Sequence, residues 1–143
     1  MKRILIISAH PDDEILGCGG YIINQEALGN KIFVLYLSEG VTARYQKKKI
    51  KSSKAISEIK KRKEMAQKCA KYLKFQILDF LDYENLRMHS NDTLDLVKEI
   101  NNYINICKPD IILCNHPGDL NSDHRVAFEA TYTALRPFTI KKK

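Results

Sequence analysis

The run "KRILIISAHPDDEILGCGG", residues 2–20, carries a short apolar segment straight into a histidine, a proline and three consecutive carboxylates. An apolar run without polar alternation reads as a strand buried on both faces, the habit of parallel sheets. The pattern recurs: "KIFVLYLS" (31–38) and "PDIILCN" (109–115) are clear strand runs, and "FQILDFL" (75–81) is a weaker one. Helical periodicity follows each of them, at about 15–29, 55–73, 91–107 and 123–135. Gly29-Asn30 closes the first helix, and Asn91 or Asp92 is placed to cap the third. Pro109 prevents that helix from continuing, and the fourth stops before Pro137. An order of β-α-β-α-β-α-β-α implies right-handed crossovers. The expected fold is therefore α/β, a Rossmann-like doubly wound sheet of at least four parallel strands in order 3-2-1-4.

Bulk properties agree with a single domain over residues 1–143. The chain is 44% apolar and 29% charged, with few glycines and prolines, which fits a globular protein and not a disordered one. No apolar run approaches the roughly 18 residues of a membrane span, and the N-terminus turns acidic too soon for a secretory signal. Cys18, Cys69, Cys107 and Cys114 lie far apart with no C-x-x-C pair, so reduced, mostly buried thiols in a cytoplasmic protein are expected. The net charge of +7 is concentrated in "QKKKIKSSKAISEIKKRKEMAQKCAKYLK", residues 46–74. A nucleic-acid surface would interleave aromatics with the cations, and this stretch has only Tyr72. It reads as a loop and a solvated helix face, whose charge would favour an anionic small molecule such as a sugar phosphate.

The topology gives the acids a place. In open α/β sheets ligands bind beyond the carboxyl ends of the strands, where the strand order reverses. Here the reversal falls between the first and fourth strands. "AHPDDE" leaves the first, and "NHPGDLNSDHR" (115–125) leaves the fourth. His10, His116 and His124 would meet there with Asp12, Asp13, Glu14, Asp119 and Asp123. His10 and Asp13, three apart across a turn fixed by Pro11, can address one point, and a histidine from the facing loop would complete a His-Asp-His set. Three N/O ligands with an open position are the pattern of a catalytic zinc site, and the same set suits iron(II). A divalent ion would also offset the mutual repulsion of the acids. On spacing alone, an N-cap turn with surface histidines stays open beside the metal site. Asp12 would stand next to the ligands, able to take a proton from water.

"AHPDDE" after a first strand, with "DLNSDHR" after a later one, resembles the PIG-L/LmbE family of metal-dependent N-deacetylases. "SEGVTAR", "KRKEMAQKCAKYL" and "FLDYENLRM" fall in family-like places, so the similarity runs to about Pro137. The resemblance implies a zinc-dependent hydrolase (Zn2+, with Fe2+ as the other candidate) that removes the acetyl group of an N-acetylglucosamine-type sugar. It makes His10, Asp13 and His124 the metal ligands, Asp12 the general base and Asp123 a supporting carboxylate. Arg62 resembles a family arginine that reaches the substrate, and Arg44 is a weaker candidate of the same kind. Many members have a histidine where this chain has Asn121, so oxyanion stabilisation falls to Asn121 or to His116. His89 is expected at the loop surface. Members usually continue further, which implies that the chain lacks a C-terminal part and part of the substrate wall. The expected partner is an acylated amino sugar, phosphorylated or nucleotide-linked, with no nucleic acid, no membrane span and scope for self-association. A thiol-conjugate amidase of the same family and an inactive metal-binding domain are the alternatives.

Overall fold

A computed structural model describes residues 1–137 of the chain. Four strands, β1 (Arg3–Ser8), β2 (Lys31–Ser38), β3 (Gln76–Tyr83) and β4 (Ile111–Cys114), alternate with four helices, α1 (Asp13–Ala27), α2 (Ser53–Leu73), α3 (Thr93–Cys107) and α4 (Ser122–Ala134). All strand pairs are parallel and the order is β3-β2-β1-β4, as the alternation of elements predicts. Single 3-10 turns at Thr42–Arg44, Lys47–Lys49 and Met88–Ser90 lie in the loops beyond β2 and β3.

The central strands are apolar throughout because both their faces are covered. Leu5, Ile7, Phe33, Leu35 and Leu37 meet Leu96, Val97 and Ile100 of α3 and Ala127, Ala130 and Ala134 of α4. The alternate residues Ile4, Ile6, Ile32, Val34 and Tyr36 meet Ile22 of α1 and Ala66 and Ala70 of α2. Small alanines on α2 and α4 let those helices approach the sheet closely. The outer strands differ. β3 and β4 are only half-buried, because among the described residues each has a strand neighbour on one side alone.

Helix ends follow local chemistry. The Ser52 hydroxyl accepts from Ala55 N, the Asp92 carboxylate from Leu94 N, and the Asn121 amide oxygen from Asp123 N. Each satisfies an amide that the helix leaves free. Gly29 takes a φ of 74° just past α1, the left-handed conformation that suits glycine. α2 ends at Lys74 and α3 at Lys108, both also left-handed. Lys60, Lys61 and Lys68 are exposed on α2, the solvated face read from the sequence.

The cysteines depart from expectation. All four are free, but of them only Cys107 is buried. Cys69 lies on the outward side of α2 and Cys114 ends an edge strand, so both are exposed. No helix among the described residues is long and apolar enough to cross a membrane.

Candidate metal centre

β1 and β4 are hydrogen-bonded neighbours, with Ile7 opposite Cys114. The turns that leave them therefore start side by side, and Asn115 ties them together. Its side-chain oxygen accepts from Ala9 N at 2.9 Å, while its amide donates to Asp13 Oδ2 at 3.2 Å.

The first turn closes on itself. Asp12 N and Asp13 N both donate to His10 O, and Asp13 Oδ2 accepts from His10 N at 2.9 Å. Asp12 is the residue before α1 and makes no side-chain cap, which leaves its carboxylate free for other partners. Successive helical residues point about 100° apart, so the three acids separate. Asp13 faces the crevice. Glu14 turns the other way and is 1% exposed, beside Tyr36 of β2. The placement of Glu14 in the crevice is thus corrected.

His10, Asp13 and His124 come together, each offering a ligand atom within 4.8 Å of the others. His10 Nδ1 lies 3.6 Å from Asp13 Oδ2, and His124 Nε2 lies 3.3 Å from Asp13 Oδ1. Both histidines are held from behind by a carboxylate. His10 Nε2 is 3.1 Å from Asp123 Oδ2, and His124 Nδ1 is 3.0 Å from Asp119 Oδ2. Asp123 is fully buried and also accepts from Leu86 N at 2.7 Å and Met88 N at 3.3 Å. Such backing fixes ring orientation and tautomer, and it is the usual surrounding of a metal-bound histidine. The role of Asp119 was missed in the sequence, although its placement five residues before His124, across the start of α4, was visible there. Asn115 gave no such signal.

The electrostatics point the same way. Burial works against a charged His10, but its hydrogen bonds with Asp123 and Asp13 outweigh it and raise the pKa to about 9. Burial would raise Asp13, and the bonds from His10 instead hold it below its usual value. The site thus attracts positive charge, and two nitrogens with one carboxylate oxygen on an open crevice suit zinc or iron(II). The residues present fit such an ion.

The crevice is a cavity of about 470 Å³ lined by Asp13, Asn115, His116, Asp119 and His124 among others. His116 is exposed, and its Nδ1 accepts from Gly118 N at 3.0 Å. That bond assigns the proton of the neutral ring to Nε2. Asn121 is the N-cap of α4, with its amide oxygen engaged by Asp123 N. His89 is exposed.

A second cavity of about 370 Å³ is lined by Pro11, Asp12, Arg44, Glu58, Lys61 and Arg62, with Val41 and Met65. It brings Arg44 and Arg62 together beside Asp12, and Arg62 Nη2 lies 2.5 Å from Asp12 Oδ2. The loop that carries Arg44 is built around a buried carboxylate. Glu39 accepts from Val41 N at 2.6 Å, Asn85 N at 2.8 Å, Thr42 N and the Thr42 hydroxyl. Arg87 donates to the Thr42 and Tyr45 carbonyls. A larger cavity, about 700 Å³, lies at the opposite end of the sheet around Arg3, Lys31 and Phe75, away from this chemistry.

Among solved structures, the 4-carboxy-2-hydroxymuconate hydratase GalB of Pseudomonas putida is 25% identical with a TM-score of 0.76, over 94% of this chain and 55% of that one. The N,N'-diacetylchitobiose deacetylase of Pyrococcus horikoshii is 21% identical with a TM-score of 0.74, over 96% and 52%. A deacetylase of the antimicrobial A40926 pseudoaglycone is 24% identical with a TM-score of 0.71, over 97% and 61%. The chain thus spans between about half and three fifths of the length of these proteins. Comparison with curated proteins by sequence gives no match. The family model PIG-L, described as GlcNAc-PI de-N-acetylase, matches residues 5–135, which span both turns of the site, and the chain belongs to that family.

Proposed function

We propose that the protein is a metal-dependent hydrolase that removes the acetyl group of an N-acetylated amino sugar. The observation that carries this reading is the His10, Asp13, His124 set, each histidine backed by its own carboxylate, at the switch point of a PIG-L chain. A divalent ion held there, zinc or iron(II), would act as a Lewis acid and lower the pKa of a bound water from 15.7 toward roughly 7.

The chain's own groups have separate tasks. Asp12 precedes Asp13 in the same turn, lines the cavity that holds Arg44 and Arg62, and is not one of the clustered residues; in this reading it accepts the proton of the attacking water. The Nε2–H of neutral His116, on the wall of the same cavity as Asp13 and His124, donates to the oxyanion of the tetrahedral intermediate. Asn121 is the second candidate, through the amide nitrogen that its cap leaves over. As the C–N bond breaks, the proton held by Asp12 passes to the leaving nitrogen, and acetate and the free amine are released. Asp123 and Asp119 hold the two imidazoles in place throughout.

Arg44, Lys61 and Arg62 line the adjoining cavity. They favour an amino sugar that carries an anionic substituent, phosphorylated or nucleotide-linked. The four free cysteines accord with work in the reducing cytoplasm.

The test is metal analysis of the purified protein, then a screen of N-acetyl sugars, sugar phosphates and nucleotide sugars for released amine. About one divalent ion per chain is expected, with amine release that a chelator abolishes. Metal binding without release from any sugar, but with release from a thiol conjugate, would shift the reading to a thiol-conjugate amidase. Binding with no turnover on either would leave an inactive metal-binding domain. GalB shows that a similar fold also hosts a hydratase, so fold alone does not decide the reaction.

A further inference from the structure

Gly40 is buried just past the end of β2, with a φ of 72°. A Cβ at that position would sit 2.8 Å from Arg62 Nε, 3.3 Å from Arg62 Cζ and 3.2 Å from Pro11 Cδ. The guanidinium of Arg62 therefore lies against bare backbone, and Gly40 touches both residues that frame Asp12. One is Pro11, which precedes Asp12 in the turn. The other is Arg62, which reaches its carboxylate at 2.5 Å. The Nε of Arg62 is buried without a hydrogen-bond partner among the described residues. Stability alone would not favour a desolvated, unpaired donor.

We propose that Gly40 and Arg62 are a positioning pair for Asp12: the bare backbone of Gly40 seats the guanidinium so that its outer edge fixes the carboxylate beside the metal ligands. The inference rests on the reading of Asp12 as the general base, and it assigns Arg62 to the protein's own carboxylate before any substrate. Arg44 and Lys61 are then the substrate-facing cations of that cavity.

The ion pair is partly exposed, at 21% for the Arg62 side chain and 45% for Asp12. Such a pair adds little to stability. Its effect is geometric. Arginine is suited to this because its planar fork can lie flat on one group and bond another with its edge, which the single point charge of lysine cannot do. Asp12 makes no cap bond to α1, so without Arg62 the carboxylate is free to rotate. A misplacement of about 1 Å can reduce turnover on the order of 10²-fold.

Alanine at residue 40 would be accommodated mainly by movement of the Arg62 side chain, since its Nε is the nearest atom and the only one of the three under 3.0 Å. In metal-loaded protein, Gly40→Ala should lower kcat roughly 10- to 100-fold, with KM within about twofold and metal content unchanged. Added to Arg62→Ala, it should lower kcat no more than about twofold further. A second reading needs no turnover. In thermal unfolding of the metal-free protein, Gly40→Ala should lower Tm by roughly 3 °C more in the Arg62 background than in the Arg62→Ala background. Strain from the positive φ is common to both backgrounds and cancels. If the Gly40→Ala effect is the same in both backgrounds by kinetics and by unfolding, Gly40 serves only its own turn and the inference is overturned. Absence of turnover in the metal-loaded wild type would instead sink Asp12 as a base, while the unfolding cycle would still decide whether Gly40 and Arg62 act as one unit.

Discussion

Asp12 and Asp13 are chemically identical neighbours, and their surroundings separate them. Asp13 is bound by His10 N, by the Asn115 amide and by the edges of both histidines, whereas the Asp12 carboxylate has, among the described residues, only Arg62. Asp13→Asn should therefore lower metal affinity. Asp12→Asn should retain about one ion per chain and lose turnover by roughly 10²–10⁴-fold, the range of general base catalysis. Metal analysis beside kinetics checks both, and loss of the ion in Asp12→Asn with retention in Asp13→Asn would exchange the roles. A second expectation concerns the backing carboxylates. Asp119→Asn removes the acceptor that faces His124 Nδ1, and metal affinity by competition titration should fall roughly 10- to 100-fold. Unchanged affinity would mean that His124 is held by its helix alone. The clustering of His10, Asp13 and His124 was legible because these residues sit in two short motifs. Asn115 was not, since its value lies in bridging Ala9 and Asp13, about a hundred residues away, and no periodicity records that.

At the level of elements, the start of α1 shows how one helical turn sorts three acids. The rotation that brings Asp13 to the crevice drives Glu14 against the sheet, where burial is the largest effect and raises its pKa to about 7. The Tyr36 hydroxyl beside it pulls the other way, and the nearby Asp12 and Asp13 add to the rise. The folded protein thus holds the Glu14 proton more tightly than the unfolded chain does. Its contribution to stability is complete below about pH 4.5 and is lost as pH rises through about 7. Glu14→Gln keeps the shape and removes the titration. Its Tm should exceed that of the wild type at pH 8, and the gap should close toward pH 4.5. The raised pKa of His10 acts in both proteins and largely cancels in the difference. A gap independent of pH would show that Glu14 does not titrate as a buried acid. The elements themselves were readable to within a few residues, because apolar runs and Gly29, Asp92 and Pro109 mark their ends. Which acid turns inward was not, because the answer depends on the phase of the helix against the sheet.

For the whole molecule, topology was the most legible feature. Four repeats of strand and helix leave few right-handed arrangements, and the order β3-β2-β1-β4 follows. That order places the loops after β1 and β4 at one crevice, and it explains why the larger cavity at the other end of the sheet lacks His10, Asp13 and His124. The charge of +7 is a property of the same scale. Its exposed lysines on α2 lie on the helix that also supplies Lys61 and Arg62 to the cavity beside Asp12. A field of one sign focused on a cleft raises the encounter rate of an oppositely charged ligand, and salt removes the effect. Raising ionic strength from about 0.01 M to about 1 M shortens the screening length from roughly 30 Å to roughly 3 Å. For a phosphorylated N-acetyl amino sugar, kcat/KM should then fall at least about tenfold. For the neutral sugar it should change less than about twofold, since only the charged ligand is steered. Arg44→Ala combined with Lys61→Ala should flatten the first response and leave the second as it was. Equal salt responses of the two substrates would mean that the positive surface serves solubility, and that the cavity beside Asp12 does not select for charge.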